Sequence, residues 1–182
     1  MRRIFIALKI PEYIQKKIIS YRIKIYPDYQ NFKWEPINNL HITLKFIGDV
    51  KNDTIDKIID ALGFISNYKT LNCSLGNFGF FSIKKEPKIL WLGLRANPEL
   101  NALVKDINNA LEKISILKDE RDFKAHLTLL RIKQSVQNNF IELFKNYKIP
   151  EENFVADEIA IVESKLLPQG SQYKDIKILK LN

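Results

Sequence analysis

His41-Ile42-Thr43-Leu44 and His126-Leu127-Thr128-Leu129 are the stretches whose reading decides the fold. The chain has 182 residues and two histidines, and both histidines open the same pattern, 85 positions apart (126 − 41). Only four threonines occur in the chain. Threonine two places after both histidines therefore has a chance of about one in two thousand, and self-similarity at that level marks an internal repeat. Each tetrapeptide sits in an apolar, β-branched run: LHITLKFIG in the first case, FKAHLTLLRI in the second. In a strand, residues i and i+2 face the same way, about 6.5–7 Å apart. His41 and Thr43 then share one face, with Ile42, Leu44 and Phe46 pointing into a core. His126 and Thr128 repeat this over Leu127 and Leu129.

Working outward, RIFIALK (3–9) reads as a strand, and Pro11 suits a first helical turn. Ile14, Ile18, Tyr21 and Ile25 then recur at helical spacing. Residues 31–38 read as irregular. Asn52 is placed to cap a helix over 53–66 whose apolar side is Ile55, Ile58, Ile59, Leu62 and Ile65. Strands follow at 71–82 and 88–95. Asn97-Pro98-Glu99 has the chemistry of a helix start, with Leu100, Leu103, Val104, Ile107, Leu111 and Ile114 as the buried stripe. After the second motif come a helix near 136–147 and strands near 154–166 and 173–181. The second half echoes the first. The expected fold class is α+β: two pseudo-symmetric lobes, each an antiparallel sheet plus helices, flanking a central cleft. They would form a single domain over residues 1–182 made of two intertwined lobes. A parallel doubly wound sheet would carry a Gly-rich turn between a strand and its helix, and none is present.

Composition bounds the function. Hydrophobic content of 46% with 27% charged residues fits a soluble globular chain. No run approaches the roughly 20 apolar residues of a membrane span. The apolar run Ile4–Leu8 after two arginines is too short for a signal peptide and lacks a small-residue cleavage site. A lone cysteine, Cys73, suits a reducing compartment, so the expected location is cytoplasmic. One cysteine and two histidines cannot build a zinc site of the usual kind, and no cofactor is implied. A formal charge of +8 favours an anionic partner.

Two imidazoles and two hydroxyls facing each other match the needs of in-line displacement at phosphorus. One histidine can hold a proton at neutral pH while the other lacks it. The threonine hydroxyls can donate to non-bridging oxygens, where negative charge accumulates. No metal is required. Arg131 has odd parity relative to His126 and would point away from the site on an ideal strand. Lys45 shares the face of His41 and Thr43, as a source of phosphate attraction or a solvated charge. Phe78, Phe81, Trp34 and Tyr173 are candidates for stacking on a base, although core packing is the better reading for each alone. Asp53, Asp56 and Asp60 read as a solvent-facing acidic stripe.

At these residues the sequence resembles the 2H phosphoesterase superfamily, named for its paired histidine motifs. More narrowly, it resembles the RNA 2',3'-cyclic phosphodiesterases, also called 2'-5' RNA ligases, of bacteria and archaea. RRIFIALKIP, NLHITLKFIGDV, KILWLGL, ERDFKAHLTLLRI and ESKLLPQGSQYKDI carry the likeness. Arg131 stands five residues after His126, as is usual there. Ala125 stands where proline is frequent and Leu130 where a small residue is frequent, and neither departure removes a reactive group. The resemblance implies a bilobal fold and hydrolysis of a 2',3'-cyclic phosphate at an RNA 3' end to a 2'-phosphate. It implies His41 as proton donor and His126 as proton acceptor, with Thr43, Thr128 and Arg131 binding substrate. The residues themselves do not say which imidazole is acid and which is base. The expected partner is RNA with a cyclic phosphate terminus, tRNA fragments included, with no membrane partner and the protein a monomer. The alternatives are joining of tRNA halves through a 2'-5' bond, and a non-catalytic RNA-end or nucleotide-binding module.

Overall fold

The computed structural model describes residues 1–28, 31–119, 121–133, 135–168 and 170–182. Two quoted stretches each include a residue outside these, Glu120 in ERDFKAHLTLLRI and Gln169 in ESKLLPQGSQYKDI. The elements run β1 (Arg2–Lys9), α1 (Glu12–Ile25), β2 (His41–Val50), α2 (Asn52–Ala61), β3 (Leu71–Ile83), β4 (Glu86–Ala96) and α3 (Glu99–Glu112). They continue with β5 (His126–Arg131), α4 (Asn138–Asn146), β6 (Asn153–Ala156), β7 (Glu158–Leu167) and β8 (Gly170–Lys180).

All eight strands belong to one antiparallel sheet in the order β6-β3-β4-β5-β2-β1-β7-β8. The expected lobes are its two halves. The inner strands β5 and β2 meet at a single register pair, Ile42 opposite Leu127. The repeats exchange strands across this seam. The first repeat, β1-α1-β2-α2-β3, sends β3 to pair with β4 in the other half. The second, β4-α3-β5-α4-β7, sends β7 back to pair with β1.

One face of the sheet is packed on the helices. Ile4, Ile6 and Leu8 of β1, Ile42 and Leu44 of β2, and Leu127 and Leu129 of β5 enter the same core as Ile14 and Ile18 of α1 and Leu103, Ile107 and Leu111 of α3. β1 is buried on both faces, as a central strand must be. Its other face, Phe5 and Ala7, packs with Ala160, Val162 and Tyr173 in a second small cluster.

The structure corrects four expectations about element boundaries. The helix expected over 53–66 is α only to Ala61 and continues as a 3-10 stretch over Gly63–Asn67. Glycine is a poor helix former, and the three-residue turn still brings Leu62 and Ile65 into the core. Asn52 lies inside the helix, and Lys51 occupies the capping position without a side-chain bond. Asn97 makes no side-chain cap either; its backbone carbonyl accepts from Leu100 at 3.1 Å. The strand expected over 154–166 is broken at Asp157, because β6 pairs with β3 and β7 with β1, in different halves.

Gly79 shows how tightly the second half is built. It lies opposite Trp91, and a Cβ there would come within 2.3 Å of the indole. The indole also packs with Phe81 and the Lys124 ammonium. Overpacking of this kind costs about 1–3 kcal/mol. Gly79→Ala should lower the free energy of unfolding by about that amount, read from the denaturant midpoint at unchanged slope.

Candidate active site

Both motifs carry the same local distortion, and it builds the site. Between β1 and β2 the register runs Ala7 opposite Thr43 and then Ile6 opposite Lys45, which leaves Leu44 as an extra residue. Between β4 and β5 it runs Trp91 opposite Thr128 and then Leu90 opposite Leu130, which leaves Leu129 extra. Such a bulge resets the side-chain alternation of a strand. In each motif the histidine and threonine face the cleft, the next two residues are buried, and the residue five places after the histidine faces the cleft again. That residue is Phe46 in the first motif and Arg131 in the second.

One expectation is therefore corrected, and the ideal-strand parity of Arg131 gives way to the substrate-side position that the resemblance implied. Phe46 is 59% exposed and lines the cleft beside Phe5; it is not in the core. Arg131, which the ideal-strand parity turned away, lines the same cleft. Its guanidinium Nε lies 3.4 Å from the Glu35 carboxylate.

The pairing of Ile42 with Leu127 fixes how the motifs face each other. The strands are antiparallel, so His41 and Thr128 flank this pair at one end and Thr43 and His126 at the other. Ile42 and Leu127 are fully buried below, which sends the four polar side chains to the other face. His41, Thr43, His126, Thr128 and Arg131 all line one cleft of about 1930 Å³.

Backbone carbonyls set the state of each ring. His41 Nδ1 lies 2.7 Å from the Asn39 carbonyl, and His126 Nδ1 lies 2.6 Å from the Lys124 carbonyl. A carbonyl only accepts, so Nδ1 carries the hydrogen in both rings. In the neutral ring, Nε2 is then a bare acceptor. His41 Nε2 accepts from the Thr43 hydroxyl at 3.1 Å. His41 is also stacked on Phe5 at 4.8 Å between centroids, with Tyr173 edge-on at 5.3 Å. Edges of Phe81 and Trp91 approach His126 at 4.9 and 6.3 Å. Burial pushes the His41 imidazole down to about 4, with the Asn39 carbonyl working against that fall and Lys9 adding to it. Burial also lowers His126, again against its carbonyl partner, with Lys124 and Arg131 adding to the fall.

The other candidates separate clearly. Phe81 and Tyr173 flank the histidines and line the cleft. Phe78 is buried against Phe144 and Tyr147, which is core packing. Trp34 packs among Phe32, Phe140 and Phe144, with one edge on the cleft. Lys45 is not solvated: it is buried, Nζ donates to the Leu117 carbonyl, and the anion it meets is the Asp119 carboxylate. Asp53, Asp56 and Asp60 are all exposed. Cys73 is buried, which pushes its thiol up to about 11. No helix among the described residues is long and apolar enough to cross a membrane.

Sequence reasoning missed Phe5, Glu35 and Phe46. Phe5 had a usable signal, since it alternates with Ile4 and Ile6. Glu35 and Phe46 had none, because their positions depend on which strand lies alongside.

The family model described as LigT-like phosphoesterase matches the chain twice, over residues 8–91 and 92–173. An RNA 2',3'-cyclic phosphodiesterase of Archaeoglobus fulgidus is 28% identical over 98% of this chain and 99% of its own length. One of Aquifex aeolicus is 31% identical over 78% of this chain and 77% of its own. Among solved structures, a Thermus thermophilus protein superposes with a TM-score of 0.80 at 20% identity, covering 98% of this chain and 97% of its own. Escherichia coli LigT complexed with 3'-AMP gives 0.78 at 23% identity, covering 99% and 98%. Two matches of one family model, meeting within β4 and each containing one histidine motif, restate the duplication seen in the sheet: the chain belongs to the LigT-like phosphoesterase family.

Proposed function

We propose that the chain hydrolyses the 2',3'-cyclic phosphate at the 3' end of RNA to a 2'-phosphate, without a metal ion. The observation that carries this reading is the pair of imidazoles lining one cleft, each with Nδ1 tied to a backbone carbonyl, which leaves Nε2 as the nitrogen for proton transfer. The names of the relatives agree with it.

Water attacks phosphorus opposite the 3' oxygen. His126 Nε2 takes the water proton, the P–O3' bond breaks, and His41 Nε2–H gives its proton to the departing O3'. The products are a 2'-phosphomonoester and a 3' hydroxyl, and the enzyme is left with the proton moved from one ring to the other. Thr43, Thr128 and Arg131 hold the non-bridging oxygens, with Thr43 exchanging its bond to His41 for one to the substrate. Phe46 and Tyr173 offer apolar faces on the His41 side, as a base would need.

The stronger burial of His41 bears on the division of labour. A cation disfavoured by its surroundings is the stronger acid once formed, which suits donation to an alkoxide. The anionic phosphate supplies the charge that offsets burial when it binds.

His41→Ala and His126→Ala should each lower turnover of a cyclic-phosphate oligonucleotide by at least ~100-fold. Activity should persist in EDTA, and the rate should be bell-shaped in pH. Near-normal turnover in either variant, or an absolute need for added divalent metal, would overturn the reading. The substrate set should include a tRNA half and a 5'-hydroxyl partner. Tight binding without turnover would indicate a binding module, and a joined product would indicate ligation.

The same burial acts on folding. His41 is harder to protonate folded than unfolded, so the unfolded chain binds more protons between pH 6.5 and about 4. Stability therefore falls as pH drops through that window. The stability difference between wild type and His41→Gln should move against the wild type by ~1–3 kcal/mol from pH 7 to 4. A difference independent of pH would show that the ring is not kept neutral by its surroundings.

A further inference from the structure

The segments that lead into the two histidines are each fastened to the opposite motif strand. Residues 31–40 lead into His41, and within them the Glu35 amide donates to the Leu129 carbonyl on β5 at 2.9 Å. The Glu35 carboxylate meets Arg131 on the same strand. This segment ends at Asn39, whose carbonyl holds His41. On the other side, the segment between α3 and β5 leads into His126. The Leu94 amide of β4 holds its end at the Ala125 carbonyl and Asn108 of α3 holds the Asp119 amide, but its fastening to the opposite motif strand is a side chain: Lys45 of β2 donates from Nζ to the Leu117 carbonyl at 2.7 Å and pairs with Asp119 at 3.3 Å. That segment ends at Lys124, whose carbonyl holds His126, and its ammonium lies 4.2 Å from the centre of the Trp91 ring.

Packing alone does not ask for a lysine here. The equivalent position in the second motif is Leu130, also buried. The Lys45 side chain is 2% exposed, and burying an ammonium is unfavourable unless its donors find partners. Both partners that Lys45 finds lie 72 or more residues away, on the segment that sets the opposite ring.

We propose that Lys45 is a positioning residue: from the His41 strand, it holds Leu117 and Asp119, on the approach to β5, so that the Lys124 carbonyl orients His126. It touches no reacting atom. Its effect passes through Leu117 and Asp119 to the backbone at Lys124 and then to the imidazole. Only the kinetic consequence rests on the cyclic phosphodiesterase reading; the effect on the ring does not.

The test uses the full chain with 15N-labelled histidine. Lys45→Met keeps the length and apolar stem and removes the charge and the donors. Imidazole 15N–1H correlation spectra should show one Nδ1–H tautomer for both rings in the wild type. In Lys45→Met, His126 should become a mixture of tautomers while His41 is unchanged. With a 2',3'-cyclic-phosphate dinucleotide, kcat should fall about 10-fold with KM within about threefold, the pattern of a displaced catalytic group rather than a lost binding contact. Asp119→Asn removes only the ion pair at a 41% exposed side chain, so it carries the test if Lys45→Met does not fold. In that variant the Nδ1–H of His126 should exchange with solvent at least about threefold faster, with His41 unaffected, as expected for a locally loosened segment. A His126 ring that keeps its tautomer and its protection in both variants would overturn the proposal. So would equal changes at both histidines, which would mark general loosening. Changed His126 spectra without any cyclic-phosphate turnover in the wild type would leave the positioning role standing and remove the substrate instead.

Discussion

The contact on which the rest depends is the pairing of Ile42 with Leu127, where the two halves of the sheet meet. Each half is closed on its own side by longer ladders: β1 with β2 and β7 on one flank, β4 with β5 and β3 on the other. At the seam the ladder shrinks to one pair. The single pair leaves both histidine motifs lining one cleft, as the proposed chemistry needs. Two fully buried aliphatic side chains beneath the seam hold the pairing, and the period of two along each strand sends imidazole and hydroxyl to the opposite face.

Symmetry supplies the frame, and departures from it supply the function. The two bulges are equivalent, and each returns the fifth residue after its histidine to the cleft. One repeat places a phenylalanine there and the other an arginine. Across from the threonines stand Ala7 in one half and Trp91 in the other. Two rings with the same tautomer thus sit in different surroundings: His41 enclosed by Phe5 and Tyr173, His126 edged by aromatic rings and faced by Lys124 and Arg131. A symmetric pair of imidazoles would have no reason to divide into acid and base; in the proposed reaction these surroundings give it one.

Much of this was legible in the sequence because it rests on local rules. The spacing of His41 with Thr43 and of His126 with Thr128 needs only the strand period. The helix stripe Leu100, Leu103, Val104, Ile107 and Leu111 needs only the helix period, and all five residues are buried. What was illegible depends on partners distant in sequence. Phe46 and Arg131 changed sides because of bulges that exist only relative to β1 and β4. Lys45 is buried because Leu117 and Asp119 lie beside it. The break at Asp157 arises because neighbouring residues pair in different halves of the sheet. The capping expected of Asn52 and Asn97 failed for a smaller reason: each helix starts one or two residues from where composition alone would place it.

The most direct measurement is a titration of the protein with inorganic phosphate at pH 6.5, following the Cε1–H resonances of both histidines. An anion seated between the rings favours the charged form of each. Both resonances should therefore move toward their protonated positions along one binding curve, with a common midpoint. A shift confined to one ring, or two shifts with separate midpoints, would show that the imidazoles do not share a phosphate.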